Sequence, residues 1–394
     1  MNVPEESGPS PVDPAEISDN LPTELPPLPT EQLLIDAGER WFDKVPSSIR
    51  AALVISPGRA QSANYLQEKL AACSVQAWYL DLHDALVAAA TQGDALEILS
   101  GADLPESEFQ LVLMPVLKRS EAELTRELLQ QAHERLSVAG WMVASVDNAK
   151  DTWLHDQLQA VFDKVSCHRD EKGCVYWAKK TGELKKRKSF DCEISFREGD
   201  RRLYALTRPG VFSHRRLDSG ARQLLLCAEI GSSDNVLDMG CGSGAVSLGC
   251  AVQTEGMVFG VDSNARAVAC LEAGANRNEL ANVHAIWNAD GNLELPVAID
   301  VALANPPYYG DDQIAQHFVE TCLAALRVGG ALLVVTKQPS FYEASFHDVL
   351  DDVVTFESGK YWVVCARKPE IQASESAAES TEDAADESAQ ESTE

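Results

Sequence analysis

The chain predicts an α/β fold built as two tandem domains, each wound around a mostly parallel sheet. Three observations carry this. Apolar runs of strand length alternate with longer helical stretches in both halves, one apolar run breaks into a glycine-rich turn, and the two halves echo each other. Alternation of strand and helix is what a parallel sheet needs, because each crossover must carry the chain back to the same end of the sheet. The echo is specific: Leu136-Ser137-Val138-Ala139-Gly140 before Trp141 to Val146 matches Leu326-Arg327-Val328-Gly329-Gly330 before Ala331 to Val335, at an offset of 190.

Taken in order, Ala51 to Ile55 followed by Ser56-Pro57-Gly58 reads as a first strand and turn, and Val75 to Leu80, ending at Asp81, as a second strand. Leu113-Met114-Pro115-Val116 stands 191 residues before Ala304-Asn305-Pro306-Pro307, and Glu121 to Leu136 reads as a helix. In the second half Val236 to Met239 leads into Gly240-Cys241-Gly242-Ser243-Gly244 and then a helix-like run from Ala245 to Ala251. Met257 to Val261 ends in Asp262, Val283 to Trp287 leads to Asn288-Ala289-Asp290, and Ile299 to Ala304 leads to Asn305-Pro306-Pro307-Tyr308. The expected domains are a disordered Pro- and acid-rich N-terminus over 1–30, a first domain over 31–180, a basic linker or hairpin over 181–205, a second domain over 206–368 and a disordered acidic tail over 369–394.

Charge separates these parts. Of the 28 excess negative charges, six acids without a base lie in residues 1–30 and nine without a base in residues 369–394, leaving the body near −13. Segments so polar and charged cannot bury enough apolar surface to order themselves. Between Lys179 and Arg222, by contrast, 13 Lys and Arg face six acids. A concentration of that kind is the footprint expected for a polyanion, with Lys185, Lys186, Arg187, Lys188, Arg208, Arg215 and Arg216 as candidate phosphate ligands. Ten scattered cysteines without C-x-x-C pairs fit reduced thiols in a cytoplasm, and no metal cluster is expected. No apolar run approaches the ~20 residues of a membrane span.

The acids at the strand ends point to a nucleoside cofactor. Glycine lets a backbone turn tightly and approach a ligand where a Cβ would collide. Gly240, Gly242 and Ala245 alone also satisfy a dinucleotide pattern, so the turn is weak evidence by itself. Asp238, two residues before Gly240, suits the ammonium of an amino-acid cofactor, a group NAD lacks. Asp262 suits a ribose diol, of either cofactor, and Asp290 suits the exocyclic amine of adenine. With Gly244, Cys241 as a small packing residue and Phe212 beside the turn, these residues form the candidate site for S-adenosylmethionine.

Asn305-Pro306-Pro307-Tyr308 then supplies what a planar amine requires. Such an amine is a poor nucleophile because its lone pair is delocalised into the ring, so an enzyme gains by holding both amine hydrogens and aiming the lone pair. Asn305 Oδ1 and the Pro306 carbonyl are suited to accept those hydrogens, and two successive prolines stiffen the loop. Tyr308 can stack on a flipped base, offsetting part of an unstacking cost of a few kcal/mol with roughly 1–3 kcal/mol of stacking.

From about residue 205 to 368 the chain resembles the C-terminal domain of the small-subunit methyltransferase C family of ribosomal RNA guanine-N2 methyltransferases. The resemblance rests on Arg208-Pro209-Gly210-Val211-Phe212-Ser213, Leu217-Asp218-Ser219-Gly220 with Leu224-Leu225-Leu226, the glycine turn and Asn305-Pro306-Pro307-Tyr308. It implies two tandem Rossmann-like class I methyltransferase domains, the first a degenerate copy, S-adenosylmethionine as cofactor, and ribosomal RNA or a ribosomal subunit as partner. The family usually has Phe and often His after Pro-Pro, where Tyr308-Tyr309 stand here, so adenine N6 in RNA stays open. A protein glutamine amide presents the same two hydrogens and stays open too. A noncatalytic RNA-binding assembly factor would predict erosion of Asp238 or Asn305, and an NAD-dependent oxidoreductase would leave Asn-Pro-Pro-Tyr unexplained.

Overall fold

The computed structural model describes residues 10–11, 25–46, 48–92, 96–307, 312–347 and 349–370. Most of both acidic termini, and Tyr308, lie outside the described residues. The first sheet is built from β1 (Ser10–Pro11), β2 (Ala51–Ile55), β3 (Ser74–Tyr79), β4 (Glu97–Ser100), β5 (Phe109–Val116), β6 (Leu136–Val146), β7 (Val165–Arg169) and β8 (Cys174–Lys179). A hairpin of β9 (Cys192–Glu198) and β10 (Arg201–Thr207) follows. The second sheet contains β11 (Val236–Met239), β12 (Val258–Asp262), β13 (Val283–Trp287), β14 (Ile299–Ala304), β15 (Leu326–Thr336), β16 (Asp351–Ser358) and β17 (Tyr361–Arg367). Helices α1 (Pro29–Asp36), α2 (Gly38–Phe42), α3 (Gln61–Lys69), α4 (Leu82–Gln92), α5 (Ala122–Arg135) and α6 (Trp153–Gln159) belong to the first half. The second carries α7 (Ser219–Cys227), α8 (Ala245–Ala251), α9 (Ala265–Asn278), α10 (Asp312–Ala325) and α11 (Pro339–Phe346).

Strand order is β4-β3-β2-β5-β6-β8-β7 in the first sheet, with β1 added at its edge, and β13-β12-β11-β14-β15-β17-β16 in the second. The two are the same winding: five parallel strands, then an antiparallel pair. Side chains alternate across each sheet, and both faces are covered, which is why the strands read as unbroken apolar runs. In β14, Val301 and Leu303 enter one core with Val236 while Ala302 and Ala304 enter the other with Leu237 and Met239.

The internal echo persists to single hydrogen bonds. Ala139 N donates to Lys180 O at 2.9 Å and Gly329 N to Lys368 O at 2.8 Å, and both residues have positive φ, 68° and 72°. Lys180 Nζ donates to Leu136 O, as Lys368 Nζ does to Leu326 O, each at 2.7 Å.

Two boundaries differ from the sequence expectation. Thr30 is fully buried and α1 begins at Pro29, so the folded body starts slightly before residue 31. The basic segment expected as linker or hairpin contains the β9–β10 hairpin, whose Ile194, Phe196, Leu203 and Ala205 pack into the core of the second sheet. Its alternating pattern puts charge outside and apolar residues inside.

Candidate active site

Parallel pairing brings the strand ends together. Met239 pairs with Val261 on one side and Ala304 on the other, so Gly240, Asp262 and Asn305 leave neighbouring strands at the same level. The turn is tied back to β12 by Gly240 N and Cys241 N, which donate to Val261 O at 2.8 and 2.9 Å. Gly240, Gly242 and Gly244 have φ of 74°, 52° and 76°, a region that L side chains enter only with strain. A Cβ at Gly240 would lie 2.5 Å from Phe318, and one at Gly244 2.7 Å from Leu271. At Gly242 the nearest atom would be Phe212 Cβ at 3.7 Å, an ordinary contact, so of the three this is the glycine that its neighbours do not crowd.

Acids stand at the ends of three of these strands. Asp262 accepts from Gly242 N at 2.8 Å and Asn264 N at 2.9 Å, which locks the end of β12 to the turn. Burial pushes its carboxyl up to about 6. Asp238 is buried and accepts at Oδ2 from Ser247 N at 2.9 Å and Ser247 Oγ at 2.5 Å. It too rises to about 6, first through burial, with the Asp262 charge adding to it. Asp290 accepts from Asn292 N, Asn292 Nδ2 and Asn288 Nδ2 within its own loop. Burial raises it, but these donors outweigh burial and hold it below the usual carboxylate range. Cys241 is buried and its thiol is pushed well up by burial, which fits packing and excludes a ready nucleophile.

A cavity of about 550 Å³ opens beside Asp262 and is lined by Gly210 to His214, Asn264 and Ala267 of the second half and by Asp81 and Glu121 of the first. Phe212 is 57 % exposed at its wall. The glycine turn, the strand-end acids and the exposed aromatic face of Phe212 fit a cationic nucleoside cofactor. Bound S-adenosylmethionine would be held by the glycine turn, Asp238, Asp262, Asp290 and Phe212.

The two halves meet at this cavity in ways the sequence did not reveal. Leu82 N donates to Ser263 O at 2.9 Å, Ala265 N to Leu80 O at 3.2 Å, and Ser263 Oγ to Asp81 at 2.8 Å. Arg266, fully buried, donates to Ala102 O, Pro209 O and Glu127. Arg208 reaches Asp103 at 2.5 and 2.9 Å and Glu127 at 3.0 Å. Burial works against the charge of Asp103, yet the two arginines hold its carboxyl low.

The phosphate-ligand expectation therefore needs correction at Arg208, whose guanidinium is spent on this interdomain network. Arg215 is also engaged, bidentate on Glu123 at 2.7 and 2.8 Å, though half exposed. Lys185, Lys186, Arg187, Lys188 and Arg216 are exposed, with Lys185 near Asp163 and Arg187 near Glu134. Among the described residues, Glu121, Glu123 and His214 are close enough to share a cation. Arg215 already neutralises Glu123, so the arrangement reads as ion pairing.

Asn305 sits directly after the buried β14, with Pro306 and Pro307 following it. Its Nδ2 donates to Asp218 Oδ2 at 2.9 Å, a contact across 87 residues that sequence reading missed, although Asp218 lies in a motif it singled out.

Comparison with known proteins agrees with this geometry. Residues 202–365 match the family model for the methyltransferase small domain. The ribosomal RNA small subunit methyltransferase C of Shewanella pealeana is 27 % identical over 307 residues, covering 74 % of this chain and 87 % of that protein. That of Hahella chejuensis is 26 % identical over 265 residues, 64 % of this chain and 70 % of that protein. The ribosomal RNA large subunit methyltransferase G of Shewanella putrefaciens is 28 % identical, but over 45 % of this chain and 49 % of its own. A T. thermophilus 16S rRNA N2 methyltransferase, solved in complex with AdoMet and guanosine, shares the fold with a TM-score of 0.71 at 22 % identity, over 86 % of this chain and 92 % of that one. Likeness to the small-subunit proteins thus runs through both halves, and over most of its length the chain is similar to the ribosomal RNA small subunit methyltransferase C proteins, with a methyltransferase small domain in its second half.

Proposed function

We propose that this chain transfers the methyl group of S-adenosylmethionine to the exocyclic N2 amine of a guanine in ribosomal RNA, in the cytoplasm. The observation that carries the reading is the pairing of β11 with β14, which sets the glycine turn and Asn305 on adjacent strands, one inter-strand spacing of about 4.8 Å apart. When bound, the cofactor supplies an electrophilic methyl. The chain's own part is to hold and aim the amine. Asn305 Oδ1 and the Pro306 carbonyl accept its two hydrogens, and the buried strand before them and the prolines after them hold those acceptors still. No strong base is needed, because the amine proton turns acidic once the methyl has arrived. Tyr308 stacks on the flipped base, and Lys185, Lys186, Arg187, Lys188 and Arg216 hold RNA phosphates. All ten cysteines are free, which supports a reducing compartment. Among the described residues no helix is long and apolar enough to cross a membrane.

The test is methyl incorporation from labelled S-adenosylmethionine into ribosomal RNA, free and in subunits, with nucleoside analysis of the product. N2-methylguanosine that disappears with Asn305→Ala is the expected result. N6-methyladenosine would move the target atom, and labelled protein without labelled RNA would move the substrate to a glutamine amide.

A further inference from the structure

We infer that Asp218 is a positioning residue that fixes which way the Asn305 amide faces, an assignment that rests on the amine-transfer reading above. Asp218 is held at a rigid place. It is the N-cap of α7, where its Oδ2 accepts from Ala221 N at 3.0 Å, and α7 is anchored by the buried Leu224 and Leu225, the latter packed against Gly249 of α8. The same Oδ2 accepts from Asn305 Nδ2 at 2.9 Å. Asn305 is equally constrained along its backbone, with Ala304 fully buried before it and two prolines after it. The freedom that remains matters: a half-turn about the last side-chain bond exchanges the amide oxygen and nitrogen with almost no change in shape.

That half-turn decides the chemistry. In one orientation Oδ1 faces the incoming amine and accepts its hydrogen; in the other an NH2 faces an NH2, donor against donor. A carboxylate carries only acceptors, so Asp218 binds the nitrogen edge and turns Oδ1 to the opposite side. The bond is charge-assisted, and polarising the amide through its nitrogen also makes Oδ1 a better acceptor. Capping α7 needs only one oxygen from a short side chain, which Ser provides as well as Asp. Holding Asn305 needs the longer reach of Asp or Asn.

Asp218→Ser and Asp218→Asn therefore separate the two roles. Both should keep the cap, with the melting midpoint and S-adenosylmethionine affinity near those of the parent enzyme. Asp218→Ser should lower kcat by about 10–100-fold, the scale of a misaligned reacting group, with KM for RNA within about twofold. Asp218→Asn, which keeps reach but loses charge, should recover most of that loss. In an Asn305→Ala background Asp218→Ser should cost nothing further, since residues acting as one unit are non-additive. The side-chain NH2 resonances of Asn305 in the cofactor-bound protein without RNA give a readout independent of turnover, and should shift in Asp218→Ser but stay near the parent's in Asp218→Asn. The assignment is overturned if Asp218→Ser leaves kcat within twofold, if its effect multiplies with Asn305→Ala, if both variants lose kcat together with cofactor affinity, or if the Asn305 resonances do not move. A parent enzyme that labels no amine would defeat the transfer reading alone, because the resonances would still report whether Asp218 holds Asn305.

Discussion

The two halves of this molecule share one winding and differ at one end of it. Beneath the strand ends they match in strand order, in the positive φ of Ala139 and Gly329, and in the Lys180 and Lys368 side-chain contacts. At the strand ends they diverge. After β11 the chain turns through three glycines with positive φ. After β2 it turns through Ser56 to Ala60, and the chain's own Leu25 and Pro26 carbonyls accept from Gln61 and Arg59 there. Where β14 ends at Ala304, just before Asn305, β5 continues through Pro115 to Val116. The fold is stabilised by the apolar layers, which both halves keep, whereas the chemistry needs a few polar residues at the strand ends, which one half keeps. Losing the second set costs the first nothing.

The sharpest way to break this comparison is to truncate Asn305 and, in the first half, Met114, whose place in the sheet register is that of Ala304, the residue just before Asn305. Asn305→Ala should cut transfer by about 10²–10³-fold, the loss expected for one fixed polar group at a reacting centre, while cofactor affinity changes less than threefold. Met114 is buried, so Met114→Ala should instead cost about 2–5 kcal/mol of stability and leave kcat of the folded enzyme within twofold. Kinetics and denaturant melts on both variants decide it, and a large kcat loss in Met114→Ala would mean the first half takes part in the chemistry.

Next in size is the joint between the halves. Arg266→Met leaves Glu127 and Asp103 with Arg208 as their remaining guanidinium, and breaking a buried ion network of this kind costs about 3 kcal/mol. A melting curve should show one lowered transition. An unchanged midpoint would mean the first half rests on the second without supporting it.

How much of this was legible in sequence follows from distance along the chain. The glycine turn, the strand-end acids and Asn-Pro-Pro are each local, a strand followed within a few residues by the group it presents, so pattern and chemistry coincide. Arg208 and Arg215 were read as phosphate ligands because nothing near them announces their partners. Asp103 and Glu127 lie 105 and 81 residues upstream of Arg208, and Glu123 lies 92 upstream of Arg215. A charge count over a window cannot distinguish a basic surface from one side of an interdomain joint. Asp218 was visible as part of a motif, yet its hold on Asn305 depends on α7 folding across the end of β14. In the hairpin that joins the halves, the dense charge hides the alternate apolar residues Ile194, Phe196, Leu203 and Ala205, which decide where it packs.

A smaller effect separates the halves by pH. Asp238 and Asp262 are both raised to about 6, above their unfolded values, chiefly by burial. The ligand-free native state then holds more protons than the unfolded chain between about pH 4 and 6, so its stability falls as pH rises through that window. Cofactor binding has the opposite preference, since an ammonium and ribose hydroxyls favour the charged carboxylates. Affinity for S-adenosylmethionine should therefore weaken from pH 7 to pH 5 by about tenfold for each carboxylate that must be charged, and calorimetry in two buffers at pH 6 should detect proton release on binding. A flat affinity across this range would show that neither carboxylate contacts the cofactor.

The smallest test asks whether the shared winding is the same at the level of one dihedral angle. Ala139 and Gly329 occupy matching left-handed positions and donate matching hydrogen bonds, yet one carries a side chain and the other does not. An L-residue in this conformation bears roughly 1–2 kcal/mol of strain, and glycine returns part of that gain as lost chain entropy on folding. Ala139→Gly should stabilise the protein by up to about 1 kcal/mol, and Gly329→Ala should destabilise it by a similar amount. Space does not interfere at Gly329, where an added Cβ would meet only the flexible end of Arg327 at 3.6 Å. Opposite signs of similar size in denaturant melts, with kcat unchanged in both, would mean that the two halves keep a common backbone below the strand ends. Equal signs would mean that the matching angles arise from different local forces, and that the copy without chemistry has begun to drift in its frame as well.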